Sequence, residues 1–192
     1  MNDIDRGGDI MDRYPNAAAG LRLMFVGQLL MIAGVALIWV PLVGSLLTIG
    51  GIAAEGIGIY KAGIDDENYR GALVFVALAL VVDLIAGFVS RGLFGSLLDV
   101  AGNVLNLLVV FTVCNTTSNL LHSIGNEALS DRGGTVVKIY TGCTVISIVC
   151  GVLSIVPIIN IAVALVSIVS AIVLVIGYVM YLFFLNDSSR SL

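Results

Sequence analysis

Long apolar stretches separated by short polar segments make up almost the whole chain. A helix that crosses a hydrocarbon core about 30 Å thick needs ~20 largely apolar residues. Strands are not expected, because backbone polar groups in lipid must be satisfied within their own segment. The pattern therefore predicts six transmembrane helices, at about Leu23–Val40, Leu42–Tyr60, Gly71–Ser90, Phe94–Cys114, Val136–Ile155 and Ile158–Leu185.

The connections between these helices alternate in length. Those after the first, third and fifth helices are short, and those after the second and fourth are longer. This alternation predicts an all-α polytopic membrane protein that consists of three helical hairpins. The hairpins form one six-helix domain at 21–186, preceded by a short polar tail at 1–20 and followed by a second tail at 187–192.

The basic residues are distributed unevenly over the predicted connections. Of nine Lys and Arg residues, only Arg91 falls on the side opposite to both termini. Because cytoplasmic connections carry an excess of Lys and Arg, both termini are expected to be cytoplasmic, in a multi-pass protein of the cell membrane. The acidic residues of the tails and connections are expected to be solvated.

Composition excludes several classes of protein. The chain is 59% apolar and 11% charged, whereas soluble domains are roughly 45–50% apolar and about 25% charged. Too few polar residues are present to cover a water-facing surface, which excludes a soluble enzyme and a disordered chain. With a net charge of −4 and no basic patch, nucleic acid is not an expected partner. The expected partner is the lipid bilayer, and a homo-oligomer or a membrane partner subunit stays open.

Three carboxylates lie inside the predicted helices, at Glu55, Asp83 and Asp99. A charged side chain near the bilayer centre costs about 2.5–3.5 kcal/mol or more, so such residues should face the protein interior. Asn103 and Asn106 continue the face of Asp99 at helical spacing. With a rise of about 1.5 Å per residue, Asp83 and Asn106 should lie at similar depth. The five residues predict a polar column within the bundle.

Two functions are open for this column. Without a Lys or Arg in the central part of the membrane, it favours a proton, a metal or sodium ion, or a cationic substrate. The protein would then be a small cation- or proton-conducting channel or transporter. Alternatively it is a non-catalytic scaffold or accessory subunit, in which these residues form interhelical hydrogen bonds worth about 0.6–2 kcal/mol each. The scaffold hypothesis assigns a partner to each carboxylate: Arg91 to Asp99, Lys61 or Lys138 to Glu55, and Asn103 or Asn106 to Asp83.

Residues for catalysis or metal binding are sparse. His122 is the single histidine, and Cys114, Cys143 and Cys150 have neither disulfide nor metal-ligand spacing. We therefore expect no enzymatic activity, no cofactor and no metal site. Because the segment from Thr141 to Asn186 contains no charged side chain, any site is expected in the first two hairpins.

Small residues at helical spacing predict packing faces, since they let helix backbones approach closely. Such faces are expected on the second, third and fifth helices, at Gly50, Ala54 and Gly58, at Ala79, Asp83 and Gly87, and at Cys143, Ser147, Cys150, Gly151 and Ser154.

The longest connection, 115–138, shows apolar residues at helical spacing. It is expected to extend the fourth helix as an amphipathic segment and to stop at Gly133 and Gly134.

Overall fold

The chain folds into six helices over the part that the structure describes. The computed structural model describes residues 13–37, 39–88, 93–153 and 160–192. Every helix in these ranges is long and apolar enough to cross a membrane, which confirms the all-α, multi-pass prediction. The helices are α1 (Pro15–Ala36), α2 (Pro41–Ala62), α3 (Tyr69–Phe88), α4 (Leu93–Ser123), α5 (Glu127–Leu153) and α6 (Asn160–Ser191).

The helices pack as a ring. Each helix contacts the next one along the chain, and α6 returns to pack against α1. The contact between α1 and α2 is the most extensive, and that between α2 and α3 is the least extensive of the neighbouring pairs. A ring of six helices leaves room for a central site to which every helix contributes.

One end of the bundle holds the start of α1, the turns 63–68 and 124–126, and the end of α6; we name it the terminal end. Tyr14 is within 3.3 Å of Ser123 (between their hydroxyl oxygens), and Arg132 forms an ion pair of 3.3 Å with Asp187. Here α1, α4, α5 and α6 extend beyond the predicted spans. Charged residues were used to place the ends of the predicted spans. They mark where each apolar segment ends, but the helix itself continues past them.

Asp65, in the turn between α2 and α3, caps the N-terminus of α1 at the terminal end. Its carboxylate accepts hydrogen bonds from the side chain of Asn16 at 2.8 Å and from the backbone N–H of Ala17 at 2.7 Å. An anion at a helix N-terminus satisfies free N–H groups and interacts favourably with the helix dipole. The expectation that the acids of the connections are merely solvated is therefore wrong for Asp65.

The contact between α1 and α2 is built on glycines spaced seven residues apart on each helix. A Cβ atom at Gly27 would lie 2.7 Å from the carbonyl oxygen of Gly51, so the two backbones are in direct contact. Seven residues make almost two helical turns, which keeps such glycines on one face. The facing pairs are Gly20 with Gly58, Gly27 with Gly51, and Gly34 with Gly44.

The predicted packing face of α2 is wrong for Gly50, whereas Ala54 and Gly58 both lie against α1. A Cβ atom at Gly50 would meet no neighbouring atom within 4 Å. Steps of four residues rotate around the helix by about 40° each, since a turn contains about 3.6 residues. The sequence offered both spacings, and the seven-residue spacing is the one that matches glycines on α1.

The other predicted small-residue faces are formed only in part. On α3, Ala79 is buried, whereas Gly87 is exposed with open space around its Cα. On α5, Cys143 and Cys150 are buried and Ser147 is exposed. Ser154 and the surroundings of Gly151 lie outside the described residues.

The connection between α4 and α5 differs from the prediction. The chain turns at Gly125, whose φ of 81° lies in the left-handed region that glycine adopts without strain. Gly133 and Gly134 do not stop a helix but lie within α5. A Cβ atom at Gly133 would collide with the Ser118 hydroxyl and with the Phe184 ring, so this glycine permits close packing of three helices.

The outer surface of the bundle is apolar, as lipid contact requires. Large aromatic side chains are exposed at the end opposite the terminal end, with Trp39 89% exposed and Phe88 91% exposed. Aromatic residues are enriched at the two membrane–water interfaces. Their position fits an interface at this end of the helices.

Candidate functional site

A cavity of about 400 Å³ lies at the centre of the ring and is lined by all six helices. Each helix contributes at least one polar or apolar side chain to its wall, so the cavity depends on the whole bundle. Its polar lining residues are Gln28, Glu55, Asp83, Asn103, Asn106, Tyr140, Thr144, Tyr178 and Tyr181.

Four of the five residues predicted from the sequence meet at this cavity. Glu55, Asp83, Asn103 and Asn106 all line it, from α2, α3 and α4. Asp83 lies against α4, because a Cβ atom at Gly102 would be 3.3 Å from its carboxylate oxygen. The positions of these polar residues along their helices therefore predicted correctly that their side chains line one cavity.

The fifth predicted residue is Asp99. Its backbone belongs to α4, but its side chain lies outside the described residues, as does Arg91, its partner in the scaffold hypothesis.

Asp83, Asn103 and Asn106 form the exposed part of the cavity. The scaffold hypothesis pairs Asp83 with one of these asparagines. That pairing is not formed, since Asp83 is exposed and forms no hydrogen bond with Asn103 or Asn106.

Glu55 lies in the more enclosed part of the cavity and is held by an interhelical network. One of its carboxylate oxygens accepts a hydrogen bond of 2.9 Å from the amide nitrogen of Gln28, which is buried. The amide oxygen of Gln28 in turn accepts a hydrogen bond from the hydroxyl of Tyr178. The network joins α6, α1 and α2, and it replaces the predicted pairing of Glu55 with Lys61 or Lys138.

The sequence prediction missed Gln28 and the hydroxyl groups of α5 and α6. The cavity is not confined to the first two hairpins, where any site was expected, because Tyr140, Tyr178 and Tyr181 also line it. Gln28 was detectable: an amide inside an apolar helix is as costly to leave unpaired as Asn103. The tyrosines gave no such signal, since uncharged aromatic side chains are common in membrane helices.

The lining is negatively charged and partly aromatic. Glu55 and Asp83 are its acidic side chains, and its described residues include no Lys, Arg or His. Tyr140 and Tyr181 pack edge to face, with ring centroids 6.2 Å apart and an interplanar angle of 69°. The hydroxyl of Tyr181 is buried and has no hydrogen-bond partner among the described residues.

The described lining of the cavity contains two carboxylates, those of Glu55 and Asp83. Within the described ranges, no three His, Cys, Asp or Glu side chains are grouped so that they could hold a metal ion. The arrangement can instead stabilise positive charge at two separate points along one cavity.

In comparisons with known proteins, the chain matches no family model, no curated protein and no solved structure. Function is therefore inferred from the geometry and charge of the cavity.

Proposed function

We propose that the protein is a small membrane channel or transporter that moves a cation or protons through its central cavity. The observation that carries this proposal is the presence of Glu55 and Asp83 in one central cavity whose described lining has no basic side chain. Carboxylates inside a membrane bundle are costly, and they typically mark ion pathways or proton relays. A purely structural role would require partners that Asp83 does not have among Asn103 and Asn106.

The proposed topology determines which part of the cavity lies nearer to the cytoplasm. The helices form three hairpins in the cell membrane, and the terminal end, with both termini, faces the cytoplasm. Arg13, Lys61, Arg70, Arg132 and Arg190 lie at or beside this end, as the positive-inside rule requires. Asp83 is then farther from the cytoplasm than Glu55, because it is separated from the terminal end of its helix by more residues.

The two carboxylates have different roles in this proposal. Asp83, Asn103 and Asn106 form the exposed part that attracts and first binds the cation. Glu55 is the inner binding point, and Gln28 and Tyr178 fix the orientation of its carboxylate. Movement between the two points requires a change in packing around the cavity. We expect this change at the interface between α2 and α3, where the helices contact each other least. The α1–α2 interface is an unsuitable place, because its glycines bring the two backbones into direct contact.

Flux into liposomes that contain the purified protein tests this proposal. Uptake of sodium, potassium, protons and choline is compared for wild type, Glu55→Gln and Asp83→Asn, with Glu67→Gln as the control. The control removes the same charge from the exposed turn at the terminal end. We expect wild type and Glu67→Gln to conduct at least one cation, and each cavity variant to lose about tenfold or more, equivalent to 1.4 kcal/mol.

The alternative is a non-transporting scaffold or accessory subunit. The observation that favours it is that all six helices are continuous over their described lengths, whereas carriers often have broken helices at their sites. If wild-type liposomes take up no cation, or if both cavity variants conduct as well as wild type, the transport proposal is wrong. The scaffold hypothesis then stands.

A further inference from the structure

The size and lining of the cavity indicate the kind of cation that it holds. We infer that its ligand is a small organic ammonium ion. This inference rests on the function proposed above and names the substrate class of the same site.

Size separates an organic cation from a bare inorganic ion. The volume of about 400 Å³ falls within the roughly 300–1,000 Å³ of small-molecule sites. An inorganic cation would need several oxygen ligands converging to about 2.0–2.6 Å. Glu55 and Asp83 are the acidic groups of the lining, and the described residues contain no acidic cluster that could converge in this way.

The lining provides a surface for both the charge and the carbon groups of such a ligand. Tyr140 and Tyr178 contribute two partly accessible aromatic rings, and Tyr178 is linked to Glu55 through Gln28. Aromatic rings with a carboxylate nearby are the usual recognition surface for ammonium groups. Much of the remaining wall is aliphatic: Ile52, Val76, Leu80, Leu107, Val110 and Leu174. An inorganic ion would gain nothing from this apolar surface, whereas an alkyl or aryl group would.

Isothermal titration of the detergent-purified full chain tests the inference without any variant. The probes are choline, its neutral isostere 3,3-dimethylbutan-1-ol, phenethylammonium and sodium chloride. We expect both ammonium ions to bind, and the isostere and sodium to bind at least about tenfold more weakly, a difference of 1.4 kcal/mol. The isostere matches choline in shape and lacks only the charge.

Variants at Tyr140 and Glu55 locate the bound ammonium. Tyr140→Leu removes a half-buried ring and should weaken choline binding by about three- to tenfold, whereas Tyr140→Phe keeps the ring and should preserve binding. Glu55→Gln should weaken choline binding by about tenfold or more, as loss of a charged partner does. Tyr60→Leu is the control, because Tyr60 is 65% exposed on the outside of α2.

The outcomes separate this inference from the transport proposal. Equal binding of choline and its isostere, or binding unaffected by Tyr140→Leu and Glu55→Gln, overturns the ammonium site. Carboxylate-dependent flux of sodium or protons without ammonium binding also overturns it and leaves transport standing. Selective ammonium binding without flux of any cation supports the site and overturns transport.

Discussion

Two sets of buried polar side chains inside the bundle are paired across helices. Tyr69 on α3 and Thr117 on α4 are both fully buried, and their hydroxyl oxygens are 2.7 Å apart. Gln28 similarly bridges Glu55 and Tyr178. Hydrogen bonds of this kind position helices in lipid, where association lacks a hydrophobic driving force. Asp83 is exposed and forms no such pair with Asn103 or Asn106, which is why a structural role explains it poorly.

Tyr69→Phe tests the value of one buried pair. The substitution leaves the hydroxyl of Thr117 without its partner, so the free energy of unfolding should fall by about 0.5–1.5 kcal/mol. Tyr60→Phe removes the same hydroxyl from an exposed ring and should change stability little. Reversible unfolding in mixed micelles measures both, and equal stability of the two variants would contradict the assigned role.

The sequence predicted charged and amide residues of the site better than its hydroxyls. Glu55, Asp83, Asn103 and Asn106 were found because burying such groups in lipid is costly, so their presence demands an explanation. Their pairing could not be predicted, since it depends on the rotation of each helix. Glu55 turns toward Gln28 on α1, whereas the sequence suggested basic partners on its own helix or on α5.

At the scale of the elements, the α1–α2 pair is the rigid part of the fold. Its glycines bring backbone against backbone along both helices, and the same pair carries Gln28 and Glu55 to the cavity. The six helices themselves could be predicted because apolar length alone determines them. The packing faces could not, because spacings of four and seven residues both occur on α2 and only the partner helix selects between them.

Adjacent glycines on α2 provide a matched test of this contact. In Gly51→Ala the new methyl group would lie 2.6 Å from the carbonyl oxygen of Gly27, whereas in Gly50→Ala it meets open space. We expect Gly51→Ala to lower the free energy of unfolding by about 1–3 kcal/mol, as overpacking does. Gly50→Ala should leave stability unchanged or raise it by up to about 1 kcal/mol, because alanine favours a helix.

Thermal unfolding in detergent distinguishes the two alanine variants. A Gly51→Ala protein as stable as Gly50→Ala would mean that α1 and α2 do not make the glycine contact.

At the scale of the whole molecule, the distribution of charge predicts the orientation of the bundle in the membrane. Basic residues gather at the terminal end, and exposed Trp39 lies at the other. The fold class could be predicted from the sequence because few charges are present and most of them limit an apolar segment. The central cavity could not, because it requires that α6 return to α1 and close the ring.

Single cysteines test the orientation. In a background where Cys114, Cys143 and Cys150 are replaced by alanine, a membrane-impermeant thiol reagent is applied to intact cells that produce Trp39→Cys or Glu67→Cys. We expect labelling of Trp39→Cys from outside and labelling of Glu67→Cys only after the membrane is opened. The reverse pattern would place the termini outside.

The central claim is that carboxylates in the cavity select positive charge. The most direct test is the ratio of cation uptake to chloride uptake in liposomes containing wild type or Asp83→Lys. Rings of charge in a pore set which sign of ion passes, so wild type should favour cations and Asp83→Lys should lower the ratio by about tenfold or more, equivalent to 1.4 kcal/mol. An identical ratio in both proteins would contradict the claim.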